Sequence, residues 1–366
     1  MFGLLSWFHS DRTHPEGRPN LEFTPEHPYI WPWCRKGTTN EMRITISRDG
    51  SITWARAASR EAWIPRCRTP SRKEVRMKRI NRIIELLEQG QPVYWAGGTE
   101  LSYEGGVESA QTSADWLVIG IEHGPYDISA LNAFMRGLVA GGPTPTGHLT
   151  PPVIVTLPFD GTDETVVRTN AWMIKQVLAT GIHGILLCHA ETPGAVKAFV
   201  EWSRYPFQTL GVGEGLDQGR RGSGGQDHAA SIWGLSTQEY LQKADVWPLN
   251  PEGELLLGLK IENKRALANV EASTKIPGIG FAEWGPSDMR MTFGYGDVRT
   301  RENTEEGELK AARNRVFAAC KAANIGFLDA VYPDDVVEKI KEGVTFPAGA
   351  EESAVVGRKY TNRIMP

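Results

Sequence analysis

The chain is poor in cysteine, and the few it has are scattered. Cys34, Cys67, Cys188 and Cys320 form no C-x-x-C pair, which argues against a zinc cage and against a disulfide framework. Long hydrophobic runs are absent too: nothing approaches the ~20 apolar residues a membrane span needs. The opening MFGLLSWFHSDR has no basic n-region and no small-residue cleavage site, so it does not read as a signal peptide. Nor is there a basic excess. A net charge of −4 argues against a general nucleic-acid binder, which carries surplus positive charge. By these absences the protein is expected to be cytoplasmic, with neither a membrane nor a nucleic acid as partner.

What is present is enough for a large core. Hydrophobic residues make up 40% of the chain and charged residues 23%, the balance of a soluble globular protein. Residues 1–75 stand apart. They hold five of the twelve tryptophans (Trp7, Trp31, Trp33, Trp54, Trp63) and a hairpin signal, MRITIS-RDG-SITWAR, with two alternating runs around Asp49-Gly50. This segment is expected to be a loop-rich arm packed on the main domain. A basic cluster follows from Arg66 to Arg82, interspersed with Glu74, and Glu85 lies just beyond it. That mixture favours a solvated helix face over a phosphate-binding patch.

From about residue 76 a rhythm begins. Short apolar runs occur at 93–98, 116–123, 152–159, 184–191, 208–214, 254–262, 278–286 and 325–332. Between most of them lie stretches with apolar residues at three- and four-residue steps, such as DISALNAFMRGLVAG and TVVRTNAWMIKQVLATG, several closing on glycine. Eight strands alternating with helices predict a parallel (β/α)8 TIM barrel over residues 76–346. Residues 1–75 form its N-terminal extension and 347–366 a C-terminal tail. The Gly-rich segment 215–253 is expected to be an extended loop near the mouth, holding at most a short helix.

In such a barrel the carboxyl ends of the strands carry the chemistry. Here those tips bear Glu122 and His123, Asp160, His189 and Glu191, Glu262, Asp288, and Asp329. Asp160, Glu191 and Asp329 fit an N-cap of the next helix as well as any functional part. Glu262 and Asp288 end neighbouring strands. Two carboxylates there, completed by water and substrate oxygens, suit Mg2+ or Mn2+, although paired structural caps are an equal reading of spacing alone. Glu122 and His123 are adjacent, so on a strand they face opposite ways and one of them faces the site.

Several segments together resemble the HpcH/HpaI-type class II pyruvate aldolases, which are metal-dependent (β/α)8 enzymes. They are EHGPYD (122–127), GIHGILLCHAET (181–192), RRGSGG (220–225), LKIENKRALANVEASTKIPGI (259–279) and GPSDMRMTFGY (285–295). The resemblance runs from about residue 80 to 345. It implies that Glu262 and Asp288 hold a divalent metal (Mg2+ or Mn2+, with Co2+ also admitted) and that a 2-oxo acid chelates it. His123 is implied as the acid–base residue; Glu122, beside it, is the other catalytic candidate, and whichever of the two does not face the site supports the loop. It further implies a homo-oligomer, hexameric or built from dimers. The chemistry is coherent: C–C cleavage beside a ketone leaves an enolate that a cation stabilises, and an imidazole can take the 4-hydroxyl proton.

The pattern is broken at the mouth. Gly120 stands where the family has an aspartate partnering the histidine, and Thr156 where it has a substrate-binding arginine. Gly225 replaces the serine of the family's RGxGS loop and is followed by Gln226, Asp227 and His228. His189 replaces a more usual methionine. His189 or His228 could supply proton transfer, though each alone also reads as a surface histidine. Arg221 remains a candidate carboxylate anchor, with Gly222, Ser287 and Thr156 as further substrate contacts; an ordinary Gly-rich loop is the competing account of 220–225. The leading expectation is a carbon–carbon lyase, cleaving a 4-hydroxy-2-oxo acid to pyruvate (or a related 2-oxo acid) and an aldehyde. The alternatives are a metal-dependent decarboxylase of a β-oxo acid such as oxaloacetate, and an altered barrel with a binding role.

Overall fold

In the computed structural model, residues 42–46, 52–56, 79–296 and 307–364 are described. The chain divides at Glu74/Val75 into two units. In the first, β1 (Met42–Ile46) and β2 (Ile52–Arg56) pair antiparallel, with Ile46 opposite Ile52, as the alternation around Asp49-Gly50 predicts. Most of the aromatic arm, Cys34 and Cys67, and the basic residues up to 78 lie outside the described residues.

The second unit is a barrel. Its strands are β3 (Trp95–Ala96), β4 (Trp116–Gly120), β5 (Val153–Thr156), β6 (Gly184–Leu187), β8 (Leu255–Lys260), β9 (Ile279–Glu283), β10 (Gly326–Ala330) and β11 (Phe346–Ala348), hydrogen-bonded in that order. All neighbouring pairs are parallel. The ends of the sheet meet where Val93 N–H donates to Thr345 O, 2.9 Å. A two-residue strand, β7 (Val246–Trp247), pairs with β8 off the main path.

The helices begin where short polar side chains cap them. Asp127 accepts from Ala130 N–H ahead of the helix Ile128–Gly141, and Asp163 from Thr165 and Val166 N–H ahead of Glu164–Ala179. Each such cap contributes about 1 kcal/mol. Leu131, Phe134, Met135 and Leu138 of the first helix fall on one face and are buried against the sheet, because steps of three and four return to the same side of a helix. Inside the barrel a separate apolar plug is built from Trp116, Ile154, Leu186, Leu256, Phe281 and Phe346. The helix Arg82–Glu88 contributes Ile83 and Leu86 to the same plug. Phe281 and Phe346 stack at 4.5 Å.

Three expectations differ from the structure. The run 208–214 is not a strand: Gly211 and Gly213 have φ of +75° and +82°, left-handed values that break an extended chain. The eighth strand is β11, across the boundary drawn at 346, and the presumed tail carries the helix Glu351–Tyr360. The segment 215–253 holds two helices, Gln226–Trp233 and Thr237–Lys243, together with β7, rather than an extended loop.

Candidate active site

Above the plug, at the carboxyl ends of the strands, lies a cavity of about 590 Å3. Strand alternation fills it: Val118, Gly120 and Glu122 come from β4 and its extension, Thr156 from β5, Lys260 from β8 and Glu283 from β9. Trp95, Trp284, Leu328 and Ala330 supply apolar walls. Gly120 and Thr156 stand opposite each other in the β4–β5 ladder. A Cβ on Gly120 would meet only Thr156 Oγ1, at 3.8 Å, so neither backbone nor packing demands glycine there.

Lys260 is the centre of the charged side. Its Nζ lies 3.1 and 3.2 Å from the two Glu122 oxygens and 3.2 Å from Glu262 Oε2. Burial pulls against the charged lysine, but Glu283, Glu262 and Glu122 outweigh it and hold the ammonium firmly protonated. Glu122 also accepts from the Cys188 thiol. Burial pushes the Glu122 carboxyl up, yet Lys260, Cys188 and His123 together keep it below the usual carboxylate range. The buried Cys188 thiol is driven up, mainly by desolvation, so it is an inert donor here and not a nucleophile.

Glu262 is 1% exposed. Its Oε1 accepts the backbone N–H of His189 at 2.8 Å, and its Oε2 accepts no hydrogen bond. Lys260 stands 3.2 Å from that Oε2, close enough for charge attraction but outside hydrogen-bond geometry. Burial raises the Glu262 carboxyl; Lys260 and His189 oppose this, while Asp288 adds to it. Asp288 is half-buried in the first turn of the helix Pro286–Phe293, beside Ser287. Gly285 leads into that helix with φ +51°, and a Cβ on it would lie 2.2 Å from Glu262 Cβ. Only glycine lets the helix start come this close to Glu262.

His189 has φ +44°, an uncommon conformation for a side chain with a Cβ. Its imidazole contacts Asn263 Nδ2 at 3.2 Å and stands 3.7 Å from Glu262 Oε1 and 4.0 Å from Asp160 Oδ1. The structure therefore groups Glu122, Thr156, His189, Glu262 and Asp288 around the mouth. His123 is exposed and does not line the cavity, so of the adjacent pair it is Glu122 that faces inward.

Other expectations need correcting. Arg221 is 2% exposed, and its guanidinium lies over the Tyr205 ring at 4.6 Å while Nη2 donates to Tyr240 Oη and Leu178 O. With Gly222 it lines a separate cavity of about 460 Å3, so neither residue contributes to the central one. His228 sits on the helix Gln226–Trp233, lowered by burial and by Arg136. The N-cap reading of the acids fails as well: Asp163 and Thr192 take the caps next to Asp160 and Glu191. Asp329 accepts from Trp284 Nε1, Arg313 and Lys339 in a buried cluster.

Lys260 was missed from sequence. The available signal was its position: a lysine ending an apolar strand, two residues before Glu262 and so on the same side of the strand. Among the described residues no group of three or more His, Cys, Asp and Glu side chains is placed to enclose a metal. The donor set that fits a divalent cation is the smaller one, a buried carboxylate with an oxygen that accepts no hydrogen bond, next to a second carboxylate. Such a two-carboxylate site leaves positions for water and substrate, as Mg2+ sites commonly do.

Comparison with known proteins agrees with this architecture. Residues 148–356 match the HpcH/HpaI aldolase/citrate lyase family model. The chain belongs to that family. It is an aldolase-type carbon–carbon lyase. It is 30% identical over 242 residues to the 2-keto-3-deoxy-L-rhamnonate aldolase of Escherichia coli O6:K15:H31, covering 66% of this chain and 76% of the relative. It is 26% identical over 217 residues to the hydroxypyruvate/pyruvate aldolase of Paraburkholderia phytofirmans, covering 59% and 70%. Among solved structures, an HpcH/HpaI aldolase/citrate lyase family protein from Burkholderia cenocepacia J2315 superposes with a TM-score of 0.57 at 23% identity, over 77% of this chain and 97% of the other. At that identity the likeness concerns the fold. No helix among the described residues is long and apolar enough to cross a membrane.

Proposed function

We propose that this lyase cleaves a 4-hydroxy-2-oxo acid by a retro-aldol reaction, releasing pyruvate or a related 2-oxo acid and an aldehyde, with a divalent cation held by Glu262 and Asp288. The supporting observation is the state of Glu262: a buried carboxylate whose Oε2 accepts no hydrogen bond, beside Asp288, at a mouth where Lys260 is the one cationic residue lining the cavity among those described. A buried carboxylate without full pairing is costly, and a divalent cation relieves that cost. The relatives are named as 2-keto-3-deoxy-L-rhamnonate and hydroxypyruvate/pyruvate aldolases, which supports a 2-oxo acid as one half of the substrate.

The chemistry such a cation supplies when bound is charge stabilisation at the substrate's keto oxygen. The rest falls to side chains. The His189 N–H fixes one oxygen of Glu262 and Gly285 gives the helix carrying Asp288 its close approach. Glu122 and Lys260 hold opposite charges facing the cavity. We assign the 4-hydroxyl proton to His123, which must turn in from its exposed position to reach the substrate, with His189, near Asp160, as the second candidate. The apolar walls of Trp95, Trp284 and Leu328, widened at Gly120, would take the aldehyde portion and exclude water from it.

The test is a panel of 4-hydroxy-2-oxo acids, and oxaloacetate, given to chelator-stripped protein with Mg2+, Mn2+ or Co2+ restored, with pyruvate detected by a coupled assay. Chelator-sensitive release of pyruvate from a hydroxy-oxo acid supports the proposal. Loss of oxaloacetate with no cleavage of hydroxy-oxo acids would move the assignment to decarboxylation. The latter needs no base on a 4-hydroxyl and is compatible with His123 lying outside the cavity lining.

A further inference from the structure

Lys260 occupies an unusual position for a residue with no assigned part. Its side chain is 12% exposed, bound to Glu122 on one side and paired by charge on the other with Glu262 Oε2, which accepts no hydrogen bond. The other cations near the mouth are committed elsewhere: Arg313 and Lys339 both bind Asp329. A 2-oxo acid entering this cavity brings a carboxylate into a space edged by Glu122, Glu283 and, at the rim, Asp288. Among the described lining residues only Lys260 can meet it with a positive charge.

We propose that Lys260 receives the carboxylate of the 2-oxo acid, and that until substrate arrives it competes with the divalent cation for Glu262. This rests on assigning that cation to Glu262 and Asp288. Two positive charges sharing one carboxylate oxygen repel strongly in a partly desolvated site. Loading the cation therefore displaces the ammonium from Glu262 Oε2, while Glu122 keeps it in the cavity. An ammonium has three N–H donors and Glu122 is the carboxylate that accepts from it, so an N–H not directed at Glu122 is available to the substrate carboxylate. That carboxylate in turn screens the ammonium from the cation. Cation and 2-oxo acid then bind with positive coupling, and by linkage each strengthens the other by the same factor.

Titration calorimetry with Mn2+ and pyruvate as probes tests this without turnover. In the native protein saturating pyruvate should tighten Mn2+ binding about tenfold, within the usual range of such couplings. In Lys260→Gln, Mn2+ alone should bind about tenfold tighter than to the native protein, pyruvate should bind about tenfold more weakly, and the coupling should shrink to the part that direct contact between cation and keto oxygen supplies. Lys260→Arg, which keeps the charge, should retain the coupling; if Lys260→Gln fails to fold, Lys260→Met carries the same measurement. Unchanged Mn2+ and pyruvate constants in the neutral variants overturn the proposal alone. Mn2+ binding that survives Glu262→Gln overturns it together with the cation assignment.

Discussion

Glu254 and Glu262 flank the two ends of β8, and both are 1% exposed. Burial raises both carboxyls. At the amino end, Glu254 Oε1 accepts from Arg79 Nη1 and Oε2 from Asn81 N–H. Arg79 is itself tied to Glu88 and to the carbonyls of Pro251 and Gly253. At the carboxyl end, Glu262 has one oxygen bonded to the His189 N–H and one that accepts no hydrogen bond, 3.2 Å from Lys260 Nζ. Equal burial thus serves two ends. A carboxylate with every oxygen answered locks the foot of the barrel, and one left incomplete marks where an incoming charge belongs.

The contrast breaks most visibly at Glu262. Glu262→Gln should cost on the order of a thousandfold in kcat/KM, several kcal/mol of transition-state stabilisation. It should leave the urea midpoint little changed, because a buried and incompletely paired charge is removed. Steady-state kinetics beside urea unfolding checks both. The mirror change, Glu254→Ala, should cost about 3 kcal/mol of stability, since it removes one carboxylate partner of Arg79 and leaves the buried Asn81 N–H without its acceptor, with activity per folded molecule retained; a midpoint equal to that of the native protein would remove the distinction between the ends. His123→Ala should lower kcat about a hundredfold, at the low end for a general base, with Mn2+ affinity intact in calorimetry. Unchanged turnover would transfer the proton to His189.

The foot also carries a pH signature. His183, just before β6, is fully buried, accepts Val153 N–H at Nδ1 and stacks on Trp233 at 5.5 Å. Burial, with a smaller push from His148, lowers it to about 3. Between its ordinary value near 6.5 and about 3, the unfolded chain binds a proton that the folded one refuses. Its contribution is therefore complete above 6.5 and is lost as pH falls, at roughly 1.4 kcal/mol per pH unit. Comparing unfolding free energies of the native protein and His183→Asn across this window should show a shallower slope in the variant. The smallest effect is expected at Gly120→Asp. The space around the added Cβ predicts a stability change within about 1 kcal/mol and a shift in substrate preference rather than loss of cleavage; a cooperative collapse in thermal unfolding would show that the cavity wall is less open than described.

How much of this could be read from sequence follows from the kind of information each feature needs. The strand–helix rhythm is local, and seven of the eight expected strands stand where apolar periodicity places them. The nearness of the Glu262 and Asp288 carboxylates was legible because strand tips in a parallel barrel converge. The segment 208–214 misled because its apolar alternation hides glycines in left-handed conformation. Arg221 misled because a glycine-rich loop says nothing of the tyrosines that sandwich its guanidinium. Strand alternation sets Lys260 on the side of Glu262, but its pairing with Glu122, 138 residues away in the chain, is visible only in the folded barrel.

The bond from the His189 peptide to Glu262 has a consequence for how such a mouth can change over time. The contact is made by main chain, set by a loop in a left-handed turn, and owes nothing to the imidazole. Residue 189 can therefore be exchanged in the course of divergence while the carboxylate stays anchored. The scaffold separates what must be kept from what may vary, and a histidine can be tried at the rim at little risk to the charge beneath it.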